Sequence, residues 1–249
     1  MILKKKITLL VPCKNEEHII EAFIKKVPSY VDEIIVVDNN SKDHSVSAAQ
    51  KAGAVVYRER RAVNGIGYGY AHQKGMEKAT GDIIVAMDSD DTYPVRAIKR
   101  IVTYMEKHHL DFISCNRLPL TNPRAISSIR RFGIMLLNMQ IRILFRYPIM
   151  DALSGMWVMK KSSIREIMPK SGDWNFSPEI KLNAITNKNV HFAERHIAHF
   201  ERMQEPSKQQ IFRTGVMHAL FITNLWLGIK VNQGKAFIES LRLFSIATK

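Results

Sequence analysis

An α/β fold with a mostly parallel central sheet flanked by helices is what this sequence predicts. Short apolar runs rich in β-branched residues alternate with segments whose apolar residues recur at helical spacing. Most of the runs are apolar at every position, so both faces of each strand need cover, which points to parallel pairing under crossover helices. Three runs also end in polar clusters, and sheets of this kind bind ligands beyond the carboxyl ends of their strands.

Residues 7–11 form the first strand. Ile19, Ile20, Phe23, Ile24 and Val27 then share one helical stripe, with Asn15 placed to cap it. Residues 33–38 are the second strand, followed by a helix from Ser41 through Ala49. A strand at 54–57, a helix at 69–79, a strand at 82–87, a helix at 95–107 and a strand at 111–115 complete the alternation. Farther on, residues 132–145 and 179–185 read as helices, 156–159, 190–194 and 197–200 as strands, and 215–229 and 236–246 as two helices. No linker or repeat interrupts the chain. The expected organisation is one domain over 1–210, with halves at about 1–120 and 121–210, and a helical extension over 211–249 that meets a membrane interface.

The 249 residues are 46% hydrophobic, well inside the globular regime. The net charge of +14 attracts polyanions such as anionic lipid headgroups or phosphorylated substrates. Charge alone also admits a basic nucleic-acid-binding protein, but no recognition motif or aromatic-basic repeat supports one, so nucleic acid is not expected. Cys13 and Cys115 are the two cysteines, each inside an apolar run, so a reducing compartment is the default. The N-terminus enters a strand without a signal-peptide pattern, and no window of about 18 uninterrupted apolar residues occurs, so a spanning helix is not expected. The expected location is cytoplasmic, peripheral on the cytoplasmic face of a membrane.

The fourth strand stops in Met87-Asp88-Ser89-Asp90-Asp91. Crowded carboxylates repel one another unless a cation joins them, and Mg²⁺ or Mn²⁺ takes one or two carboxylates plus ligand phosphates. The plain alternative is a polar loop capping the helix after Pro94. Pro12, Lys14, Glu16, Asp38, Asn39 and Asn40 fall at the same sheet edge as Asp88 and Asp90, which favours a site.

The strings Leu10-Val11-Pro12-Cys13-Lys14-Asn15-Glu16-Glu17, Val36-Val37-Asp38-Asn39-Asn40-Ser41 and Val85-Ala86-Met87-Asp88-Ser89-Asp90 resemble glycosyltransferase family 2 and its GT-A fold. Within that family the chain is most similar to polyprenol-phosphate (dolichol-phosphate) mannosyl and glucosyl synthases, through Arg117, the stretch Asp151-Ala-Leu-Ser-Gly-Met156, and the basic stretch from Arg202 to Lys208. The resemblance implies a nucleotide-sugar donor (GDP-mannose or a UDP-hexose) and a polyprenyl phosphate acceptor. It implies that Pro12, Lys14, Glu16, Val37, Asp38 and Ser89 line the donor site, that Asp88 and Asp90 hold Mg²⁺ or Mn²⁺, and that Arg117, Arg202 and Lys208 meet phosphates. Asp90, Arg117 and Asp151 are its implied catalytic residues. The pattern departs at Thr92, where close relatives carry Gln or a similar side chain, and at Lys14, where they carry an aromatic.

The chemistry asks for these residue types. A departing nucleoside diphosphate gains charge, which a divalent ion, Arg and Lys stabilise. A lipid phosphate acceptor is already anionic and needs no strong base. A sugar or lipid hydroxyl, the alternative acceptor, needs a carboxylate within hydrogen-bond reach, for which Asp151 and Glu179 are the candidates. Gly65, Gly67 and Gly69 lack phosphate-loop spacing and read as a tight helix entry beside the donor. The Arg-bracketed apolar run 132–145 is too short to span a bilayer. It reads as a helix lying in the headgroup plane or as an ordinary core helix. His108, His109, His191, His196 and His199 form no zinc pattern and are expected to be structural.

Overall fold

The computed structural model describes residues 5–202 and 210–247, with residues 232–247 as backbone alone. One sheet is built from β1 (Ile7–Cys13), β2 (Glu33–Asp38), β3 (Val55–Arg58), β4 (Ile83–Ala86), β5 (Phe112–Asn116), β6 (Trp157–Lys160) and β7 (Phe192–His196). Their spatial order is β3-β2-β1-β4-β6-β5-β7. Pairing is parallel for β1 with β2 and β4, for β2 with β3, and for β5 with β7. Among these strands only β6 runs against its neighbours, β4 and β5.

The helices are α1 (Ile20–Lys25), α2 (Ser45–Lys51), α3 (Tyr68–Lys78), α4 (Ile98–Lys107), α5 (Ser128–Phe145), α6 (Ile164–Ile167), α7 (Phe176–Thr186) and α8 (Ile211–Ala247). Side-chain alternation divides the core into two layers. Ile7, Leu9 and Val11 of β1 join Phe23 of α1, Ala49 of α2 and Ile98, Ile101 and Met105 of α4. Leu10, with Ile35, Ile84 and Trp157, instead meets Ala71 of α3, Ile164 of α6 and Phe176 and Ile180 of α7. A third cluster joins Leu137 and Ile141 of α5 to Leu182 of α7 and Ile222 of α8.

Several boundaries differ from those predicted, each for a local reason. Asn15 caps nothing: it sits at φ 52°, a left-handed position that Asn tolerates, and α1 starts only at Ile20. Its Oδ1 accepts from Lys42 N at 2.8 Å, while Ser41 Oγ accepts from Asn15 N at 2.9 Å. Ser41 is thus spent tying two strand ends together, and α2 begins at Ser45. Residues 197–200 are no strand. Ile197 N still donates to Asn116 O (3.0 Å), but Phe200 N has crossed to Thr92 O (2.9 Å), leading the chain over the end of the sheet. The two helices expected at 215–229 and 236–246 are one, since only Gly234, a weak breaker, stands between them.

Helix α8 bears on the expectation that no segment spans a membrane. Ile211–Val231 has a mean hydropathy of 1.2 and only 11% of its richest window is buried, so by length and composition it reaches what a membrane span needs. It nevertheless packs on α5: Gln140 Nε2 donates to Ala219 O at 2.8 Å and to Thr223 Oγ1 at 2.9 Å. We read it as lying along the protein.

Candidate active site

A cleft of about 480 Å³ opens at the carboxyl edge of the sheet. Pro12, Lys14 and Glu16 line it from β1, Asn39 from β2, Gly65 and Gly67 from the entry to α3, Asp88, Ser89 and Asp90 from β4, and Arg117 from β5. Lys14 Nζ donates to Gly65 O at 2.9 Å and so holds the glycine loop against the end of β1.

The acidic pair lies at the floor. The Tyr68 hydroxyl donates to Asp88 Oδ1 at 3.3 Å. Burial of its carboxyl, then the charge of Asp90, pushes Asp88 from the ordinary carboxylate range to about 7. Asp90 Oδ1 accepts from Thr92 N (3.2 Å) and Thr92 Oγ1 (2.6 Å), a turn made by the aspartate's own side chain. Its other oxygen faces Arg202 Nη1 at 3.3 Å, and Arg202 Nη2 reaches Glu16 Oε1 at 3.2 Å. Gly155 makes the close approach possible, because a Cβ there would stand 2.7 Å from Asp88 Oδ2. Among the described residues no three or more His, Cys, Asp and Glu converge. Two mutually repelling aspartates, one of them short of positive charge, fit a hard divalent ion that phosphate oxygens help to coordinate.

The opposite side is cationic. Arg117 donates from Nε and Nη2 to Asp151 at 2.7 and 2.9 Å, and its backbone N reaches the same carboxylate at 3.1 Å. Burial works to raise Asp151, but the charge and hydrogen bonds of Arg117 outweigh it and hold the group below the usual carboxylate range. Lys181, fully buried, donates Nζ to the carbonyls of Asp151 (3.1 Å), Ala152 (2.8 Å) and Ser154 (2.9 Å). Three carbonyls ask for three N–H groups, which only the ammonium has, although burial drags its pKa down to about 7. Lys181 thereby sets the 151–155 turn that carries both Asp151 and Gly155. Arg130 of α5 also lines the cleft. Burial, then the charges of Arg117 and Arg202, lowers its pKa, so three guanidinium groups converge here and invite an anion.

The third wall comes from α3, the turn before α7, and α8. Ser171 and Gly172 sit hard against α3, where a Cβ on Gly69 would come within 2.3 Å of Ser171 O. This seating brings Trp174 to Tyr68, with ring centroids 4.7 Å apart. Next to them His218 of α8 bonds through Nδ1 to Asn175 Oδ1 at 2.8 Å. Burial, then the Lys181 charge, lowers His218 to about 4, so its ring is neutral near pH 7.

Of the residues singled out from sequence, Pro12, Lys14, Glu16, Asp88, Ser89, Asp90, Arg117 and Arg202 all face this cleft. Val37 does not: it is fully buried beneath, packed in the layer with Leu10 and Ile35. Asp38 is also absent from the lining and turns its Oδ1 back to Ser41 N at 3.1 Å. Asp151 lies behind Arg117 with no exposed side chain, which suits a positioning group rather than a base. Glu179 is equally committed, accepting from Lys170 N (3.0 Å) and Ser171 N (2.9 Å). Lys208 lies outside the described residues. His199, expected to be structural, lines the cleft beside Tyr93. Tyr68, Tyr93, Arg130, Trp174 and His218 also line the cleft: Tyr68 and Tyr93 stand beside the glycine and aspartate motifs, Arg130 belongs to the Arg bracket of the apolar run, and Trp174 and His218 have no local motif to flag them.

Residues 8–168 match the glycosyl transferase family 2, and the chain belongs to that family. Among curated relatives it is 27% identical to an uncharacterized glycosyltransferase of Mycobacterium tuberculosis over 161 residues, covering 65% of this chain and 70% of that one. It is 24% identical over 216 residues to the undecaprenyl-phosphate 4-deoxy-4-formamido-L-arabinose transferase of Pseudomonas fluorescens, covering 83% and 61%. The fold matches glucosyl-3-phosphoglycerate synthase from Mycobacterium tuberculosis, crystallised with Mn²⁺, UDP and glucosyl-3-phosphoglycerate, with a TM-score of 0.68 at 18% identity over 90% of this chain and 81% of that one. The GT-A expectation holds, with β6 as the reversed strand.

Proposed function

We propose that this glycosyltransferase moves a hexose, with inversion, from a nucleotide sugar to a polyprenyl phosphate at a membrane surface. One observation carries the reading: a carboxylate pair and three guanidinium groups meet in a single cleft that continues between α5 and α8. Asp88 and Asp90 would hold Mg²⁺ or Mn²⁺, and the ion, when bound, would supply Lewis-acid stabilisation of the leaving diphosphate. Glu16 and Lys14 border the nucleoside end. Arg117, fixed by Asp151, would align the acceptor anion with Arg130, and Arg202 would exchange Asp90 for phosphate. No hydroxyl acceptor is favoured, because both candidate carboxylate bases are already committed to other partners.

The membrane part rests on the outer face of the α5–α8 pair. Phe132, Met135, Met139 and Ile143 on α5, and Phe212, Val216 and Leu220 on α8, are all more than half exposed. An apolar face of this kind on a chain with net charge +14 suits the headgroup region of an anionic leaflet. We take residues 1–210 as the catalytic domain and 211–249 as an extension that also completes the cleft. The test is incubation with radiolabelled GDP-mannose or UDP-glucose, Mn²⁺ and a short polyprenyl phosphate. Label passing into organic solvent is the expected result. Transfer only to water-soluble acceptors such as phosphoglycerate would replace the acceptor assignment.

A further inference from the structure

Deep in the third wall is a histidine whose chemistry the transfer step leaves unused. His218 is 2% exposed, yet it faces the cleft. Its tautomer follows from its neighbours. Asn175 Nδ2 points to Asp173 Oδ2 at 3.4 Å, and a carboxylate only accepts, so the amide oxygen of Asn175 faces His218. An amide oxygen also only accepts, so the proton sits on His218 Nδ1. Nε2 is left with a lone pair and, among the described residues, no partner. Beside it Tyr68 and Trp174 present half-buried rings, and Tyr68 is the residue bonded to Asp88.

We infer that Tyr68, Trp174 and His218 form a subsite for a pyranose ring, with the aromatic rings against its C–H face and His218 Nε2 accepting a hydrogen bond from one sugar hydroxyl. The reading deepens the proposed transfer by assigning a sugar-selecting wall to the donor site. A phosphate oxygen is a poor fit at Nε2, since an ionised phosphate brings no proton to share. A hydroxyl supplies the donor that this fixed acceptor lacks, and the Asp173–Asn175 relay keeps the ring from turning. A site that bonds a hydroxyl discriminates against analogues without it, because the acceptor that the sugar covers is then left unpaired.

Calorimetry with Mn²⁺ and the pairs UDP and UDP-glucose, and GDP and GDP-mannose, separates the possibilities. For the pair that wild type binds, His218→Ala is expected to keep its nucleoside diphosphate affinity within about twofold. It should lose roughly five- to tenfold for the sugar nucleotide, the cost of one neutral hydrogen bond. Wild type should lose a similar factor toward one deoxy-sugar analogue in a series missing each hydroxyl in turn, and His218→Ala should not distinguish that analogue. Equal losses for diphosphate and sugar nucleotide, or no loss for either, would overturn the subsite and leave the transferase reading standing. If the variant does not fold, the deoxy series on wild type decides, and less than twofold discrimination at every hydroxyl overturns the subsite. Failure of wild type to bind any nucleoside diphosphate would instead remove the transferase reading, and the subsite with it.

Discussion

Asp88 and Asp151 stand on opposite sides of the same cleft, and their surroundings are opposite too. Asp151 receives three hydrogen bonds from Arg117 alone, with Lys181 close behind, and its charge is fully answered. Asp88 has one phenol hydroxyl and a repelling neighbour, Asp90, and its proton affinity rises accordingly. Identical side chains thus become a finished structural joint and an unfinished site. A saturated carboxylate positions others, whereas an underneutralised one is available to a cation or a proton.

The largest expected effect breaks the unfinished side. Asp90→Ala should cut transfer roughly a thousandfold, several kcal/mol of transition-state stabilisation, with the melting temperature nearly unchanged. Retained turnover at saturating Mn²⁺ would remove the metal role from this pair. On the other side, Asp151→Ala should cost about 3–5 kcal/mol in urea unfolding, because it strands the Arg117 charge. Were Asp151 a base instead, Asp151→Asn would fold like wild type and fail only in turnover.

Acidity sharpens the contrast. A cation must displace the proton on Asp88, so Mn²⁺-supported nucleotide binding should weaken about tenfold per unit as pH falls below about 7. The stability sign is the reverse. With its folded-state pKa raised, Asp88 holds a proton in the folded chain that the unfolded chain has lost. Its contribution therefore falls as pH climbs from the ordinary carboxylate range to about 7. For Asp151, held low, the contribution is present above the ordinary carboxylate range and disappears in stronger acid. Flat Mn²⁺-dependent binding between pH 5 and 8 would show that Asp88 has an ordinary pKa.

Smaller effects lie at the edges of the site. Phe132→Ser should weaken binding to vesicles of anionic phospholipid roughly five- to tenfold, in proportion to the apolar area it removes, and leave soluble donor binding intact. Thr92→Val deletes the hydroxyl bonded to Asp90 at 2.6 Å. A change of about 0.5–1.5 kcal/mol in metal affinity, read by calorimetry, is expected from one lost hydrogen bond.

Legibility followed the same division. Asp88 and Asp90 could be read directly, because a strand ending in carboxylates is a local pattern. Arg117 and Arg202 were reached through resemblance. Asp151 was also reached through resemblance, and only the fold shows that Arg117 covers its carboxylate. Trp174 and His218 carry no sequence signal: a tryptophan before one helix and a histidine inside another become neighbours only when α7 and α8 pack. Val37 was placed at the site by resemblance, but it lies inside β2 with its side chain in the core layer, whereas Asn39 comes just past the end of that strand and faces the cleft.

The chain by itself determined the alternation of strands and helices, the acidic strand end and the abundance of positive charge, all properties of short windows where propensity and periodicity act. Tertiary structure decided that β6 inserts backwards between β4 and β5, which brings the 151–155 turn against Asp88. It also decided that α8 closes one wall of the cleft with a fixed histidine tautomer. Those outcomes depend on pairing and packing between segments far apart in sequence, where the free energy belongs to the contact and to neither segment alone.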